Sequence, residues 1–448
     1  MREKLVYGLA RLVLKAFFRR IEIEGLERVR SQGPVLLVAN HVNSLIDAVL
    51  MAGTLGRLPR FLAKSTLWQM VGLRPFLALA KVIPVYRRQD KGVDTSKNME
   101  TFARCHEVLE QGGAIALFPE GISHNKPNLQ PLKTGAARIA LEAEERFGPL
   151  GIEIVPVGLI FGAKGMFRSR ALIQVGEPLE VRLEENEDRY QTARKLTAKI
   201  EEGLRQQTLN FESWEEARLV NRAADLYARP QPELPAKPDL ADRSRHRQAF
   251  AKTYRSVREA HPREVENVAR AVAHYDRLLS TAGMRDDQVG AAYPMSKILR
   301  YLARTTLNLL LYLPVAVAGT ILNWLPYRIP GWIAQRFATS PDVASTYKLF
   351  PAFVLFPLFW IGEAALGTWL GGWRFGLTLL VFAPLSGWLA LRFHERRNTF
   401  LQEAGAYLKL RTRKGMSSEL KRRRETVLRE VERLMDLHKD TLETGSPS

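Results

Sequence analysis

Cysteine is almost absent from this chain of 448 residues, because Cys105 is the only one. A single cysteine excludes an intramolecular disulfide and a zinc site built from several thiolates. The eight histidines are scattered, and none belongs to an HExxH pair. The sequence therefore predicts no metal site, and its composition fits a reducing, cytoplasm-facing setting.

Acidic residues are scarce relative to basic ones: 47 aspartates and glutamates stand against 66 lysines and arginines, a formal net charge of +19. Such an excess attracts polyanions, whether nucleic acid, an anionic membrane surface or a phosphorylated substrate. Charge alone does not choose among these partners. The apolar segments described below favour the membrane, so we expect anionic membrane lipids and no nucleic acid as partners.

The N-terminus also lacks the pattern of a cleaved signal peptide. The stretch Arg2–Arg20 interleaves basic with apolar residues, and no small-residue cleavage site follows it. Residues 1–20 are predicted to form an amphipathic helix that lies in the headgroup region of an anionic membrane. The alternative is a basic helix packed on the domain that follows.

Residues 21–228 alternate short apolar runs with amphipathic stretches, which predicts an α/β domain with a mostly parallel mixed sheet. The predicted strands are Pro34–Ala39, Arg60–Lys64, Val82–Tyr86, Ala114–Phe118, Ile152–Phe161 and Ala171–Val175. The predicted helices are Ser44–Leu55, Thr66–Ala80, Thr95–Gln111, Gly135–Phe147 and Glu184–Leu209.

The second half of the chain predicts a helical region followed by a C-terminal membrane-helix domain. Residues 229–304 comprise a proline-dense linker, within Ala228–Asp242, and a polar helical region. Residues 305–393 hold two to three transmembrane or re-entrant helices, and residues 394–448 form a basic helical tail. The apolar segments are Leu307–Leu325, Leu349–Leu370 and Phe375–Leu391. The first is the candidate re-entrant segment, because two asparagines weaken it and basic flanks favour the cytoplasmic side at both ends.

The first patch with chemical potential is VANHVNSLIDAVL, where a strand ends and a polar pair precedes a helix. An alcohol that attacks a thioester needs a base to remove its proton, and His41 has a suitable intrinsic pKa for that role. Asp47 is the nearest carboxylate that could fix the imidazole tautomer. The alternative interpretation is a His–Asp capping contact at the start of a helix.

Two further patches carry phosphate-binding residue types. The run KVIPVYRR delivers Arg87 and Arg88 to the end of a strand, and arginine forks pair with phosphate. The run ALFPEGISHNKP places Glu120 and Gly121 in a turn after a buried strand, with Ser123 close behind. Glu120 could bind an acceptor hydroxyl or organise the loop.

Lys133 precedes a predicted helix whose N-terminus could hold a phosphate. A fourth patch, IVPVGLIF at Ile154–Phe161, is a buried strand predicted to shape the acyl or acceptor site. For each of these patches the alternative is an ordinary structural role: exposed charges after a strand, a capped helix, or plain core.

The segments NHVNSLID, IPVYRR, FPEGIS and IVPVG resemble, in order and spacing, the four sequence blocks of the phospholipid/glycerol acyltransferase family. VGEPLE, after the fourth block, is also typical of that family. The resemblance covers about Leu26–Glu180. The second half, with its PDVASTYK stretch at Pro341–Lys348, is similar to a subgroup that includes fungal-type glycerol-3-phosphate/dihydroxyacetone-phosphate acyltransferases.

The resemblance implies a cytoplasm-facing acyltransferase domain that takes acyl-CoA or acyl-carrier protein as co-substrate and needs no other cofactor. It implies His41 as base, Asp47 as its partner, and Arg87 with the FPEG turn as contacts to the acceptor's phosphate and glycerol. The predicted substrate-binding residues are Asn40, Arg87, Arg88, Glu120, Gly121, Ser123 and Lys133.

One departure from the family pattern concerns the catalytic pair. The usual first block has four residues between histidine and aspartate, whereas here Val42–Ile46 is five. An extra helical residue would rotate Asp47 by about 100°. We expect the pair to meet only if that residue bulges in the turn before the helix.

The predicted function is transfer of a fatty acyl group to glycerol-3-phosphate or 1-acylglycerol-3-phosphate by an integral membrane enzyme. One alternative is an acyltransferase for another lysophospholipid or lipid acceptor, because the blocks do not encode the headgroup. The other is a basic membrane-binding or nucleic-acid-binding protein without catalysis, which would show salt-sensitive polyanion binding and no acyl transfer.

Overall fold

The computed structural model describes residues 2–69, 73–90, 92–183, 188–229, 239–289, 295–338, 340–412 and 414–444. The chain divides into two compact units. The first comprises Met1–Trp214, Asp239–Ser244 and Phe337–Tyr347; the second comprises Glu215–Pro238, Arg245–Arg336 and Lys348–Ser448. The first unit is therefore discontinuous in sequence, unlike the contiguous domains that the composition predicts.

The first unit is built on a single mixed sheet. Its strands are β1 (Phe18–Glu24), β2 (Val35–Ala39), β3 (Arg60–Lys64), β4 (Ile83–Val85), β5 (Ala114–Leu117), β6 (Glu153–Phe161), β7 (Ser169–Val175) and β8 (Leu179–Glu180). The order is β1-β7-β6-β2-β5-β3-β4, with β8 beside β6. The pairs β6–β7 and β6–β8 are antiparallel and all the others are parallel, which confirms the predicted mostly parallel mixed sheet.

The described helices follow the chain in order. They are α1 (Arg2–Phe17), α2 (Leu45–Thr54), α3 (Arg74–Leu79), α4 (Asn98–Glu110), α5 (Gly135–Phe147), α6 (Arg189–Gln207), α7 (Trp214–Tyr227), α8 (Leu240–Arg258), α9 (Pro262–Ala282), α10 (Met295–Phe337), α11 (Pro341–Gly371), α12 (Trp373–Thr412) and α13 (Lys414–Thr444). Short 3₁₀ turns lie at Leu26–Arg28, Ser65–Gln69, Thr95–Lys97 and Asp286–Gln288.

Strands β2 and β5 form the centre of the sheet and set the position of the site. All five side chains of β2 and all four of β5 are buried, because helices cover a parallel sheet on both faces and its strands become continuous apolar runs. The two strands pair in parallel from Val35↔Ala114 to Val38↔Leu117. Their carboxyl ends therefore lie side by side, and the residues that follow them meet at one edge of the sheet.

The N-terminal helix is shorter than predicted. It ends at Phe17, and Phe18–Glu24 forms β1, because this segment finds a parallel partner in β7 with Ile21 opposite Ala171. The face of α1 that carries Leu14 packs on α2; a Cβ added at Gly53 would lie 2.6 Å from Leu14 Cδ1. This face of α1 therefore packs on the domain that follows, as the alternative interpretation of the N-terminal helix has it. Contact of the opposite face with a membrane stays a prediction.

Three other predicted segments differ from the structure or lie partly outside it. The predicted helix Thr66–Ala80 is a 3₁₀ turn, Ser65–Gln69, and a separate α3 with proline in its first turn. The predicted helix Glu184–Leu209 begins only at Arg189, after residues that lie outside the described part. Residues 230–238 of the predicted linker also lie outside it, and α8 already begins at Leu240.

Among the described residues, three helices are long and apolar enough to cross a membrane: Leu299–Phe337, Pro341–Gly371 and Trp373–Gly405. All three lie in the second unit except for residues 337–347, which belong to the first. The predicted re-entrant segment Leu307–Leu325 lies within the uninterrupted α10. Asn323 does not break that helix, because its amide donates to Ala383 O at 3.0 Å and accepts from Trp360 Nε1 at 2.9 Å. A side-chain amide satisfied by two neighbouring helices is compatible with an apolar bundle.

Candidate active site

A histidine–aspartate pair stands at the carboxyl end of β2. His41 Nδ1 lies 2.9 Å from Asp47 Oδ2, and the Asp47 side chain is fully buried while that of His41 keeps 19% exposure. A carboxylate on Nδ1 fixes the tautomer with its proton there, which leaves the lone pair of Nε2 to accept a proton. The Phe118 ring stacks on the imidazole at 4.0 Å between centroids and an interplanar angle of 9°, which restrains it further.

The turn between the two residues accommodates the fifth intervening residue as a bulge. Ser44 adopts φ 50° and ψ −125°, and α2 begins only at Leu45. A non-glycine residue in such a region costs about 1–3 kcal/mol. The Asn43 amide donates to Asp47 Oδ2 at 2.7 Å, so the same carboxylate oxygen holds the turn and the imidazole. The pair therefore meets despite its unusual spacing.

Glu120 organises the loop that follows β5. Its Oε1 accepts from the His41 backbone amide at 2.7 Å. Its Oε2 accepts from the Gln130 backbone amide at 2.7 Å and lies 2.5 Å from His124 Nε2. The Glu120 side chain is completely buried. The carboxylate thus ties the FPEG turn to the backbone of His41, and its predicted contact with an acceptor stays a prediction.

Gly121 occupies a left-handed conformation, φ 69°, at the centre of that turn. A Cβ there would lie 2.6 Å from Lys133 Nζ, so the lysine side chain passes directly over the glycine backbone. Arg87 NH1 donates to Gly121 O at 2.9 Å. Strand β4 and the FPEG turn therefore bring two of the predicted phosphate ligands to one place.

Asp90 orients the Arg87 guanidinium. Nε and NH2 of Arg87 donate to the two carboxylate oxygens of Asp90 at 3.0 and 2.8 Å. This hydrogen bonding, with the charges of Arg87, Lys64 and Lys133, holds the pKa of Asp90 below its ordinary value. A guanidinium has five N–H donors, and three are engaged here. Two remain for an anion.

Three further residues, Asn40, Ser123 and Arg88, are predicted to bind substrate. Asn40 is buried and exchanges two hydrogen bonds with the backbone of Leu159, which fastens the end of β2 to β6. Ser123 Oγ accepts from the Ser44 amide at 3.1 Å. Arg88 is exposed beyond β4. Substrate contacts of these three residues stay predictions.

Lys164 is a residue that the sequence pattern did not single out. It follows β6, and its ammonium lies in the electrostatic field of Asp47, Asp342 and Glu120 while burial lowers its pKa. Its Nζ stands 5.7 Å from the centre of the Trp214 ring. A lysine just beyond an apolar strand that pairs with β2 is the signal that the sequence carries for this residue. The apolar pattern IVPVGLIF ends at Phe161 and predicts only the wall of a site.

Comparison with known proteins divides the chain into two matches. Residues 20–160 match the family model described as Acyltransferase. Residues 219–439 match the model of the glycerol-3-phosphate acyltransferase 2 C-terminal domain. All the residues of the His41–Asp47 and Arg87–Glu120 constellation fall within the first match.

Two curated relatives and one solved structure show the range of similarity. Glycerol-3-phosphate O-acyltransferase 2 of Saccharomyces cerevisiae is 31% identical over 196 residues, 43% of this chain and 26% of its own length. The chloroplastic 1-acyl-sn-glycerol-3-phosphate acyltransferase BAT2 of Brassica napus is 27% identical over 150 residues, 33% of this chain and 40% of its own. The chain thus spans well under half the length of both relatives. The crystal structure of the 1-acyl-sn-glycerophosphate acyltransferase PlsC from Thermotoga maritima covers 45% of this chain and 78% of its own, with 20% identity and a TM-score of 0.32.

Proposed function

Since the chain belongs to the phospholipid/glycerol acyltransferase family, we propose that it is a membrane-bound O-acyltransferase that esterifies glycerol-3-phosphate. The acyl donor is a thioester, acyl-CoA or acyl-carrier protein. The observation that carries the proposal is the 2.9 Å contact between His41 Nδ1 and Asp47 Oδ2, made by an imidazole that is still accessible. Such a pair needs no enzyme nucleophile when the substrate itself brings a hydroxyl.

In the proposed reaction His41 Nε2 removes the proton of the acceptor hydroxyl as its oxygen attacks the thioester carbonyl carbon. The C–O bond forms, and the tetrahedral oxyanion collapses with cleavage of the C–S bond. The imidazolium returns its proton to the thiolate, so that an ester and a free thiol leave. Asp47 stabilises the imidazolium while it exists, and its buried carboxylate needs no solvent rearrangement to do so.

The acceptor's phosphate is assigned to the basic cluster at the FPEG turn. Arg87, Lys64 and Lys133 all lower the pKa of the Asp90 carboxylate, so the charges of three cations are felt at this one group. Asp90 neutralises only one of these charges and aims the Arg87 fork. The surplus of positive charge and the two uncommitted N–H groups of Arg87 suit a phosphate monoester.

Replacement of Arg87 by lysine is expected to raise the KM for the acceptor about 10- to 100-fold with a smaller effect on kcat. Lysine keeps the charge but has three N–H donors in place of five, so it cannot form the three hydrogen bonds to Asp90 and Gly121 O and also donate to a phosphate. A charged hydrogen bond is worth about 1.5–3 kcal/mol. Steady-state kinetics with varied acceptor measure this split. A KM that moves instead with Arg88→Lys would reassign the phosphate to the exposed neighbour.

Glycerol-3-phosphate is the favoured acceptor because the second half of the chain matches a C-terminal domain described for glycerol-3-phosphate acyltransferase 2. A second candidate is 1-acylglycerol-3-phosphate. The similarity of this chain to the 1-acyl-sn-glycerol-3-phosphate acyltransferase of Brassica napus favours this acceptor. Labelled acyl-CoA and acyl-carrier protein, each offered with either acceptor to the detergent-solubilised full chain, decide between them. Absence of transfer to both acceptors, by folded protein with either donor, would reject the proposal.

The membrane part of the proposal rests on the three long apolar helices. We propose that they span the bilayer and that the catalytic unit faces the cytoplasm, where acyl thioesters are available. Exposed aromatic residues near the helix ends, including Trp332, Trp369 and Trp373, have the side chains that favour a membrane–water interface.

The orientation can be tested with an introduced thiol, because the native chain itself should give no labelling background. Cys105 is fully buried, and burial raises its pKa to about 12, so it stays an unreactive thiol. Met99 is 78% exposed on α4. A membrane-impermeant maleimide is expected to label Met99→Cys in inverted vesicles and not in sealed right-side-out ones. Labelling in right-side-out vesicles alone would contradict the proposed orientation.

A further inference from the structure

The turn between His41 and Asp47 is held by three successive backbone amides, each of which donates to a side-chain oxygen. Asn43 N donates to Asp47 Oδ2 at 2.7 Å, Ser44 N to Ser123 Oγ at 3.1 Å, and Leu45 N to Thr346 Oγ1 at 3.3 Å. The amides at the start of a helix have no partners within the helix. The side chain of Ser44 makes no capping hydrogen bond to α2, so the caps come from elsewhere in the sequence.

Thr346 belongs to the first turns of α11, in the segment Phe337–Tyr347 that is part of the catalytic unit. This segment is seated firmly in that unit. Asp342 is 3% exposed and Ser345 is fully buried. A Cβ added at Gly165 would meet Ser345 Oγ at 3.8 Å, an ordinary packing distance. Thr346 therefore reaches Leu45 from a fixed support.

The bulge makes this contact consequential. Ser44 holds a backbone conformation that L-residues rarely adopt, and such conformations persist only where the surroundings over-determine them. If the turn relaxed, α2 would shift or rotate, and Asp47 in its first turn would move relative to His41. The geometry of the catalytic pair thus depends on the amides that flank the bulge.

We propose that Thr346 is a positioning residue for acyl transfer: its hydroxyl caps Leu45, holds the five-residue turn, and keeps Asp47 against His41. The inference rests on the proposed function for its effect on turnover, but not for its effect on the turn. A segment that belongs by sequence to the connection between two apolar helices thereby completes the active site.

The test compares three substitutions in the full chain. Thr346→Val removes the hydroxyl and keeps the shape, whereas Thr346→Ser keeps the hydroxyl and loses the methyl group. Ser345→Ala is the matched control, because the adjacent buried hydroxyl has no hydrogen-bond partner within the described part of the chain. All three are measured by steady-state acyl transfer and by amide hydrogen exchange of peptides spanning residues 41–50.

Thr346→Val is expected to lower kcat about three- to tenfold with KM nearly unchanged, the effect of one lost hydrogen bond. Amide exchange at Leu45 should accelerate while exchange in the sheet strands stays the same. Thr346→Ser and Ser345→Ala should behave like the wild type in both measurements.

Wild-type turnover and exchange in Thr346→Val would overturn the inference. Losses in Thr346→Ser equal to those in Thr346→Val would overturn it too, since they would point to packing of the whole side chain rather than to its hydroxyl. Faster exchange with unchanged turnover would also overturn the positioning role. A wild-type protein that transfers no acyl group would reject the proposed function. Faster exchange in Thr346→Val would then still support the hold of Thr346 on the turn.

Discussion

Replacement of His41 by alanine is expected to lower kcat by a factor of about 10²–10⁴, the usual contribution of a positioned general base. The acceptor hydroxyl would then have to lose its proton to water as it attacks. Acceptor KM should change little, because the phosphate contact is assigned to Arg87, which follows β4 and donates to Gly121 O. The protein should stay folded, since the ring is partly exposed and removal of its stacking on Phe118 leaves the buried strands intact.

The rate of labelled ester formation at saturating donor and acceptor measures this loss. His274→Ala is the matched control, because His274 is an exposed histidine on α9, outside the catalytic unit. Its turnover should equal that of the wild type. A folded His41→Ala protein with undiminished turnover would contradict the assignment of the base.

Replacement of Asp47 by asparagine is expected to lower kcat about 100-fold. Both donors of the site converge on one oxygen, Oδ2, and Oδ1 has no hydrogen-bond partner within the described residues. An asparagine can place its oxygen at the Oδ2 position and keep both hydrogen bonds, so the turn survives. What it loses is the negative charge that stabilises the imidazolium, and hydrogen bonds to charged groups are worth about 1.5–3 kcal/mol.

Comparison with Asp47→Ala separates charge from geometry. Alanine also leaves the Asn43 amide without its acceptor, so turnover should fall further and the unfolding free energy should fall by about 1–3 kcal/mol. Asp94→Asn, at an exposed carboxylate that caps a 3₁₀ turn, is the control for amidation alone. If Asp47→Asn turned over as fast as this control, Asp47 would have no electrostatic part in the reaction.

The sequence predicted the pairing of His41 with Asp47 but not the backbone geometry that brings the two side chains together. His41 and Asp47 were recognisable from residue type and order, and the need for a bulge followed from helical periodicity. That Ser44 would take the strained conformation was not predictable, because its cost is offset by partners remote in sequence. Thr346 is 301 positions from Leu45, and no local pattern joins them.

Strand β1 shows the same limit at the level of the fold. The segment FRRIEIE follows an amphipathic helix and continues its mixture of charge and apolar side chains, so local pattern extends the helix through residue 20. Pairing with β7, about 150 residues later, decides otherwise. The six predicted strands, in contrast, are short apolar runs bounded by turn residues, and each contains or overlaps an observed strand.

For the charged residues the sequence indicated which residue types could bind phosphate, but not which side chains are already hydrogen-bonded within the protein. Arg87 and Arg88 are equivalent in a motif, yet one is clasped by Asp90 and Gly121 O while the other is exposed. Glu120 was assigned either to the acceptor or to the loop. Its carboxylate accepts hydrogen bonds from the backbone amides of His41 and Gln130 and from the His124 ring, so it organises the loop. Such occupancy depends on loop conformation, which residue spacing does not encode.

The discontinuity of the catalytic unit has a consequence for biosynthesis. A ribosome finishes the main body of the unit at Trp214 and reaches Thr346 only about 130 residues later, roughly ten seconds at ordinary rates of elongation. During that interval the nascent sheet can form, but its strained turn lacks one of its caps. Thr346 follows α10 in the chain, so its cap forms only after α10 has been translated. The nascent chain would therefore reach full acyl-transfer activity only once its first long apolar helix exists.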